Sequence, residues 1–547
     1  MTIDLNVSRR GVLGGMAGLG AIGMVGGTAR PARGATQDRP IFVTVETRTG
    51  KVEGIDNVGI KQFKGIPYGA DTGGANRFAP PRPPKPWVGV RNCIGYGPIN
   101  PQLPADLRSD YAMMIMWDRH VGAGSMGEDC LNLNIWTPGV NDGGKRAVLV
   151  CFHGGGFASG SGNGPGFDGA QLARFGDVVV VTVNHRLGAF GYTHLNQLTR
   201  ASDMAGAGNA GVMDMVASLN WVRDNIAQFG GDPNCVMIFG QSGGGAKTSV
   251  LYGDPRAKGL FHRAAVQSGS MLRLTDPEVA TKQAVALLEE LNIAKERAGD
   301  LRKVPWQALL AAQVRVMRRP GMAWSFVPVL DNSYFTAHPF DPAAPEFSRD
   351  VPLIVSTTLE DGAIRLSNPD LTHDQLAEQL TTRYGSRGRE LLAAYRRTYP
   401  DKSPFLLQAV MTTDASGRKM AIKQAEVKSA QGGAPVYMYQ WNWATSAYGG
   451  RYGAIHGLDV SATFHSYRDQ TLDVGSPRGR RVADELASAW VAFAKTGDPN
   501  NQQIPRWDPY EPGRRATMIF DDKTRSENDP GSGFRKLWAA IPTPTAG

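Results

Sequence analysis

Gly240-Gln241-Ser242-Gly243-Gly244 sets a serine between glycines two residues to either side, directly after the apolar run Val236-Met237-Ile238-Phe239. A serine hydroxyl is a weak nucleophile near neutral pH, so it attacks only beside a base that takes its proton. Glycines at those two positions permit a sharp strand-to-helix turn whose backbone angles and crowding exclude a Cβ. Such a turn exposes the hydroxyl and aims the N–H of Gly243, at a helix start, toward any anion that forms there. The five-residue pattern alone is weak in a chain with 67 glycines, where an ordinary glycine-rich turn reads the same. Its context adds weight. His153-Gly154-Gly155-Gly156-Phe157 follows a second apolar run, and successive small residues let backbone N–H groups converge on an oxyanion. Gly155, Gly156 and Gly243 are the expected donors; the blander alternative is a loose loop, since glycines continue at Gly160, Gly162 and Gly164. A third turn, Ser356 to Gly362, holds two candidate acids, Glu360 and Asp361. Nine histidines are available as bases: His120, His153, His185, His194, His262, His338, His373, His456 and His465. The chemistry these types support together is acyl transfer through a serine.

The elements that must position them alternate short β-branched runs with longer stretches of helical period, the pattern of a mainly parallel sheet covered by helices on both faces. The clearest strands are 148–152, 178–183, 236–239 and 353–355. Three of these four end in one of the turns above, and in open α/β sheets ligands bind at the carboxyl edge. Val212, Met215, Val216, Leu219, Val222 and Ile226 recur at mostly three- and four-residue steps, an amphipathic helix stopped by Gly230-Gly231-Asp232-Pro233. Residues 278–315 and 372–428 read as helical insertions forming a cap over one end of the sheet. The fold class expected is α/β, one catalytic domain from residue 35 to 547.

The serine turn after a strand resembles that of the α/β-hydrolases, whose catalytic groups follow one another as serine, acid, histidine. That order leaves His373, His456 and His465. His373 sits in a helix-start context between Thr372 and Asp374, and His456 lies in the loop Gly453-Ala454-Ile455-His456-Gly457-Leu458-Asp459, with His465 in reserve. Further motifs run from Phe63-Lys64-Gly65-Ile66-Pro67-Tyr68 through Glu128-Asp129-Cys130-Leu131-Asn132, Asn184-His185-Arg186-Leu187-Gly188 and Phe229-Gly230-Gly231-Asp232-Pro233 to Thr496-Gly497-Asp498-Pro499. With the three turns, these resemble the type-B carboxylesterases, the group that includes the cholinesterases, over nearly all of the chain beyond the first segment. The resemblance implies Ser242 as nucleophile, His456 as base, Gly155, Gly156 and Gly243 as the oxyanion hole, and a carboxylic ester as small-molecule substrate. The family usually carries Glu directly before Gly as the acid; here that position holds Asp361, the expected acid, with Glu360 as the alternative. The family also commonly bridges the cysteine matching Cys130 to one shortly upstream, where this chain has Asn100, so Cys130 is expected free unless Cys93 pairs with it. Amides, carbamates or lactones are alternative substrates for the same groups, and a catalytically silent binding protein is the rival from another class.

Composition bounds the rest. The chain has 547 residues, 41% hydrophobic and 20% charged, enough to bury a large core. Its formal charge of +9 contains no block of like charges, and Arg9, Arg10, Arg30 and Arg33 supply part of it, so nucleic acid is not indicated. Four cysteines form no CxxC pair and no metal-ligand spacing with histidine, so no metal or organic cofactor is expected. Ser8-Arg9-Arg10-Gly11 ahead of a Gly/Ala-rich uncharged run, with Ala32-Arg33-Gly34 beyond it, resembles a twin-arginine export signal over residues 1–34. The run is glycine-rich and a poor membrane helix, so a periplasmic or secreted enzyme without a stable membrane anchor is expected; the oligomeric state is left open.

Overall fold

In the computed structural model, residues 40–103, 125–199, 204–322, 326–466 and 476–541 are described. The export segment and His120 lie outside them. Thirteen strands of the described residues form one sheet. In chain order they are β1 Phe42–Thr47, β2 Gly50–Asn57, β3 Ile60–Pro67, β4 Val90–Asn92, β5 Asn132–Thr137, β6 Arg146–Phe152 and β7 Val179–Val183. There follow β8 Gly231–Gln241, β9 Arg263–Gln267, β10 Leu353–Thr358, β11 Val436–Trp441, β12 Ala516–Phe520 and β13 Arg525–Asn528. The spatial order is β1-β2-β3-β5-β7-β6-β8-β9-β10-β11-β12-β13, with β4 beside β2. From β7 to β12 all neighbours are parallel, while β1, β2, β3, β5 and β13 pair antiparallel at the two margins.

The continuous apolar runs of the central strands are what burial on both faces requires. Successive side chains point to opposite faces, so Val148, Val150 and Phe152 of β6 enter one core while Ala147, Leu149 and Cys151 enter the other. Helix α1, Ala210–Asn225, covers the first face with Val212, Met215, Leu219 and Val222. Helix α2, Gly243–Tyr252, follows β8. The expected helical insertions are present as α3 Pro277–Glu290, α4 Trp306–Met317, α5 His373–Tyr384, α6 Ser386–Thr398, α7 Pro404–Ala415 and α8 Gly417–Ser429. The second face is covered by α9, Pro477–Thr496, through Val482, Leu486, Trp490 and Phe493.

The differences from the sequence reading are local. β8 starts at Gly231, five residues earlier than its apolar run, because Arg146 of β6 pairs with Gly231. Gly230, in the left-handed region at φ 74°, makes the turn from the preceding helical segment into that strand. All four cysteines are free thiols, so Cys93 and Cys130 are not bridged.

Candidate active site

Ser242 occupies the junction of β8 and α2 with φ 60° and ψ −124°, a strained combination for a residue with a side chain. Two backbone hydrogen bonds hold it there: its N–H donates to Gln267 O at 2.8 Å, and its carbonyl accepts from Ala246 N at 3.0 Å. The flanking glycines are required by crowding. A Cβ on Gly240 would lie 2.4 Å from the Phe152 carbonyl oxygen, and one on Gly244 would lie 2.0 Å from that same atom. The half-buried serine therefore sits where the carboxyl ends of β6 and β8 nearly touch.

The loop after β6 adopts left-handed backbone at Gly155, φ 86°, and Gly156, φ 63°, and Gly156 packs backbone to backbone against Gly243. Among the described residues the N–H groups of Gly155, Gly156 and Gly243 donate to no protein acceptor. The loop is closed on itself instead through Gly155 O, which accepts from Ala158 N and Ser159 N at 3.3 and 3.1 Å. It thus forms a turn closed by its own backbone hydrogen bonds.

His456 Nδ1 donates to Asp361 Oδ1 at 2.5 Å, and both side chains are largely buried. Asp361 Oδ1 also accepts from Thr358 Oγ1 at 3.3 Å. Glu360, one residue earlier and fully buried, turns elsewhere: it pairs with Lys402 and accepts Ala454 N at 2.8 Å, tethering the loop that carries His456. Of the two candidate acids, Asp361 is thus the one in contact with the imidazole. With Nδ1 protonated, Nε2 is the ring's free lone pair, and it lies 3.0 Å from the side-chain amide nitrogen of Gln241, the residue directly before Ser242. Among the described residues no hydrogen bond joins Ser242 Oγ to His456. His465 is elsewhere, paired with Asp484 at 2.7 Å and stacked on Phe175. His373 opens α5, whose N-cap is Thr372.

Sequence reasoning passed over several residues here. Gln241 lay in plain view inside the serine motif, while Lys402 left no local signal. Asp459, three residues past His456, is a buried carboxylate whose pKa burial raises. It accepts from Gln267 Nε2 at 3.0 Å and Tyr439 OH at 2.7 Å, linking the backbone that holds Ser242 to the segment after the histidine.

Residues 42–535 match the profile of the carboxylesterase family. The chain belongs to the carboxylesterase family. It is similar to the para-nitrobenzyl esterase of Bacillus subtilis, 34% identical over 90% of this chain and 97% of that protein. It is similar also to the phenmedipham hydrolase of Pseudarthrobacter oxydans, 32% identical over 89% and 96%. A solved carboxylesterase of Geobacillus stearothermophilus superposes with a TM-score of 0.76 at 33% identity, covering 90% of this chain and 99% of that one. An esterase of Clostridium hathewayi superposes with a TM-score of 0.78 at 33% identity, covering 92% and 99%. This carboxylesterase has the α/β-hydrolase fold and is a carboxylic ester hydrolase. No helix among its described residues is long and apolar enough to cross a membrane.

Proposed function

We propose that the chain hydrolyses carboxylic esters through Ser242, His456 and Asp361, with Gly155, Gly156 and Gly243 holding the oxyanion. The observation that supports this is the His456–Asp361 contact at 2.5 Å, with His456 Nε2 3.0 Å from the side-chain amide nitrogen of Gln241, the residue directly before Ser242. When an ester enters, Nε2 exchanges the Gln241 amide for the serine hydroxyl and removes its proton. Ser242 Oγ then adds to the ester carbonyl, and the protonated imidazole, balanced by Asp361, gives its proton to the departing alcohol. Water repeats the attack on the acyl-enzyme through the same base. The three amides, with no protein acceptor among the described residues, are free to receive the charge that develops on the carbonyl oxygen. Residues 1–34 direct this enzyme across the membrane by the twin-arginine route.

Hydrolysis of p-nitrophenyl acetate and a p-nitrobenzyl ester by the unsubstituted chain and by Ser242→Ala tests this reading. Turnover should fall by about 10⁴-fold or more, because the three groups act as a unit. Full activity in a folded Ser242→Ala protein would overturn it.

A further inference from the structure

Lys247 plays no part in the mechanism above, yet it is fully buried one turn into α2. Its Nζ donates to the backbone carbonyl of His153 at 2.8 Å, the group through which β6 passes into the Gly154–Gly156 loop. Three- and four-residue spacing puts Lys247 on the same helix face as Gly244 and Gly243. Those are the residues that press on the Phe152 carbonyl and on Gly156. Its other neighbours are the Phe157 ring, with centroid 5.9 Å from Nζ, Cys151 on β6, and His185 just past β7, whose ring stacks on His153 at 5.1 Å. Among the described residues it forms no ion pair with a carboxylate; Asp214 of α1 is taken up by Arg186. Burial lowers the Lys247 pKa to about 7, burial and Lys247 drive His185 well below its ordinary value, and burial raises the Cys151 thiol.

Burial without a carboxylate partner disfavours the charged form, so near neutral pH Lys247 is divided between ammonium and amine. Its place gives it a use. It is hydrogen-bonded to the carbonyl just ahead of the Gly155 and Gly156 amides, and the positive charge it carries when protonated would favour the transition state, in which the ester oxygen becomes negative, over the ground state.

We propose that Lys247 is a positioning residue for ester hydrolysis, pinning the His153 carbonyl so that the Gly155 and Gly156 amides stay aimed, and setting positive charge behind the oxyanion. This rests on the Ser242 reading. Lys247→Met removes the charge at similar bulk. Its melting temperature should be unchanged or higher, while kcat for p-nitrophenyl acetate falls ~10- to 100-fold with KM within about twofold. Affinity for an aryl trifluoromethyl ketone, which forms a tetrahedral adduct on the serine, should fall by the same factor as kcat. Lys247→Arg should recover most of the loss. Lys247→Gln, which keeps a donor to His153 but no charge, should lie between.

Each protein is first titrated with diethyl p-nitrophenyl phosphate. An unsubstituted enzyme that does not react overturns the serine reading itself. A Lys247→Met protein that titrates fully and keeps unsubstituted kcat and ketone affinity overturns only the role of Lys247. Should that variant not fold, the unsubstituted enzyme still decides: its kcat must decline on the alkaline side as Lys247 loses its proton. A kcat flat to about pH 10 contradicts the proposal, since Cys151 and His185 carry no charge to lose over that range.

Discussion

Asp361 and Glu360 are adjacent carboxylates that differ in what they touch, one on the imidazole of His456 and the other on Lys402 and the Ala454 amide. That difference separates their substitutions. Asp361→Asn should keep the fold and lower kcat by about 10⁴-fold, the scale of losing the group that holds the histidine tautomer. Glu360→Gln should keep kcat within about tenfold and lower the melting temperature, since it leaves Lys402 without its ion pair in a half-buried position. Steady-state kinetics beside thermal denaturation reads both, and a reversed pattern would exchange the two roles. At this scale the sequence was informative where chemistry depends on a local motif. Ser242, Gly155, Gly156, Gly243, Asp361 and His456 all sit in turns that spacing and family resemblance single out. Gln241, Lys247 and Lys402 were not legible as partners, because each one's contact is with an atom distant in the chain.

The elements explain why the motif residues had to be glycine. α2 begins so close to the end of β6 that the Phe152 carbonyl occupies the space a side chain at Gly240 or Gly244 would need. Gly244→Ala should therefore push the serine turn away from the Gly154–Gly156 loop. A displacement of about 1 Å costs on the order of 10²-fold in turnover, with far-ultraviolet circular dichroism showing whether the fold persists. Retained kcat in that variant would mean the turn tolerates a Cβ. The central strands were legible from their apolar runs because both faces are buried and little else can be accommodated there. Their ends were not: β8 is extended to Gly231 by pairing with β6, an interaction between segments far apart in the chain. The antiparallel margin, exemplified by Gly50–Asn57 with its mixed polar content, gave no comparable signal.

At the scale of the whole molecule, the region from Ile41 onward forms one compact unit whose two cores lie on opposite faces of the sheet. The family match spans nearly all of it, and the residues ahead of Ile41 carry the export proposal. Exchanging Arg9 and Arg10 for lysine should leave ester hydrolysis in cell extracts unchanged while removing it from the periplasmic or extracellular fraction. Unaltered partitioning would exclude the twin-arginine route. The central claim, that one serine attacks with the help of one imidazole beneath three amides, is tested most directly by mapping where diethyl p-nitrophenyl phosphate attaches. The expected result is one diethylphosphoryl group per chain on the peptide containing Ser242, with activity lost in proportion to labelling. A label on another residue, or complete labelling of Ser242 with hydrolysis intact, would contradict it.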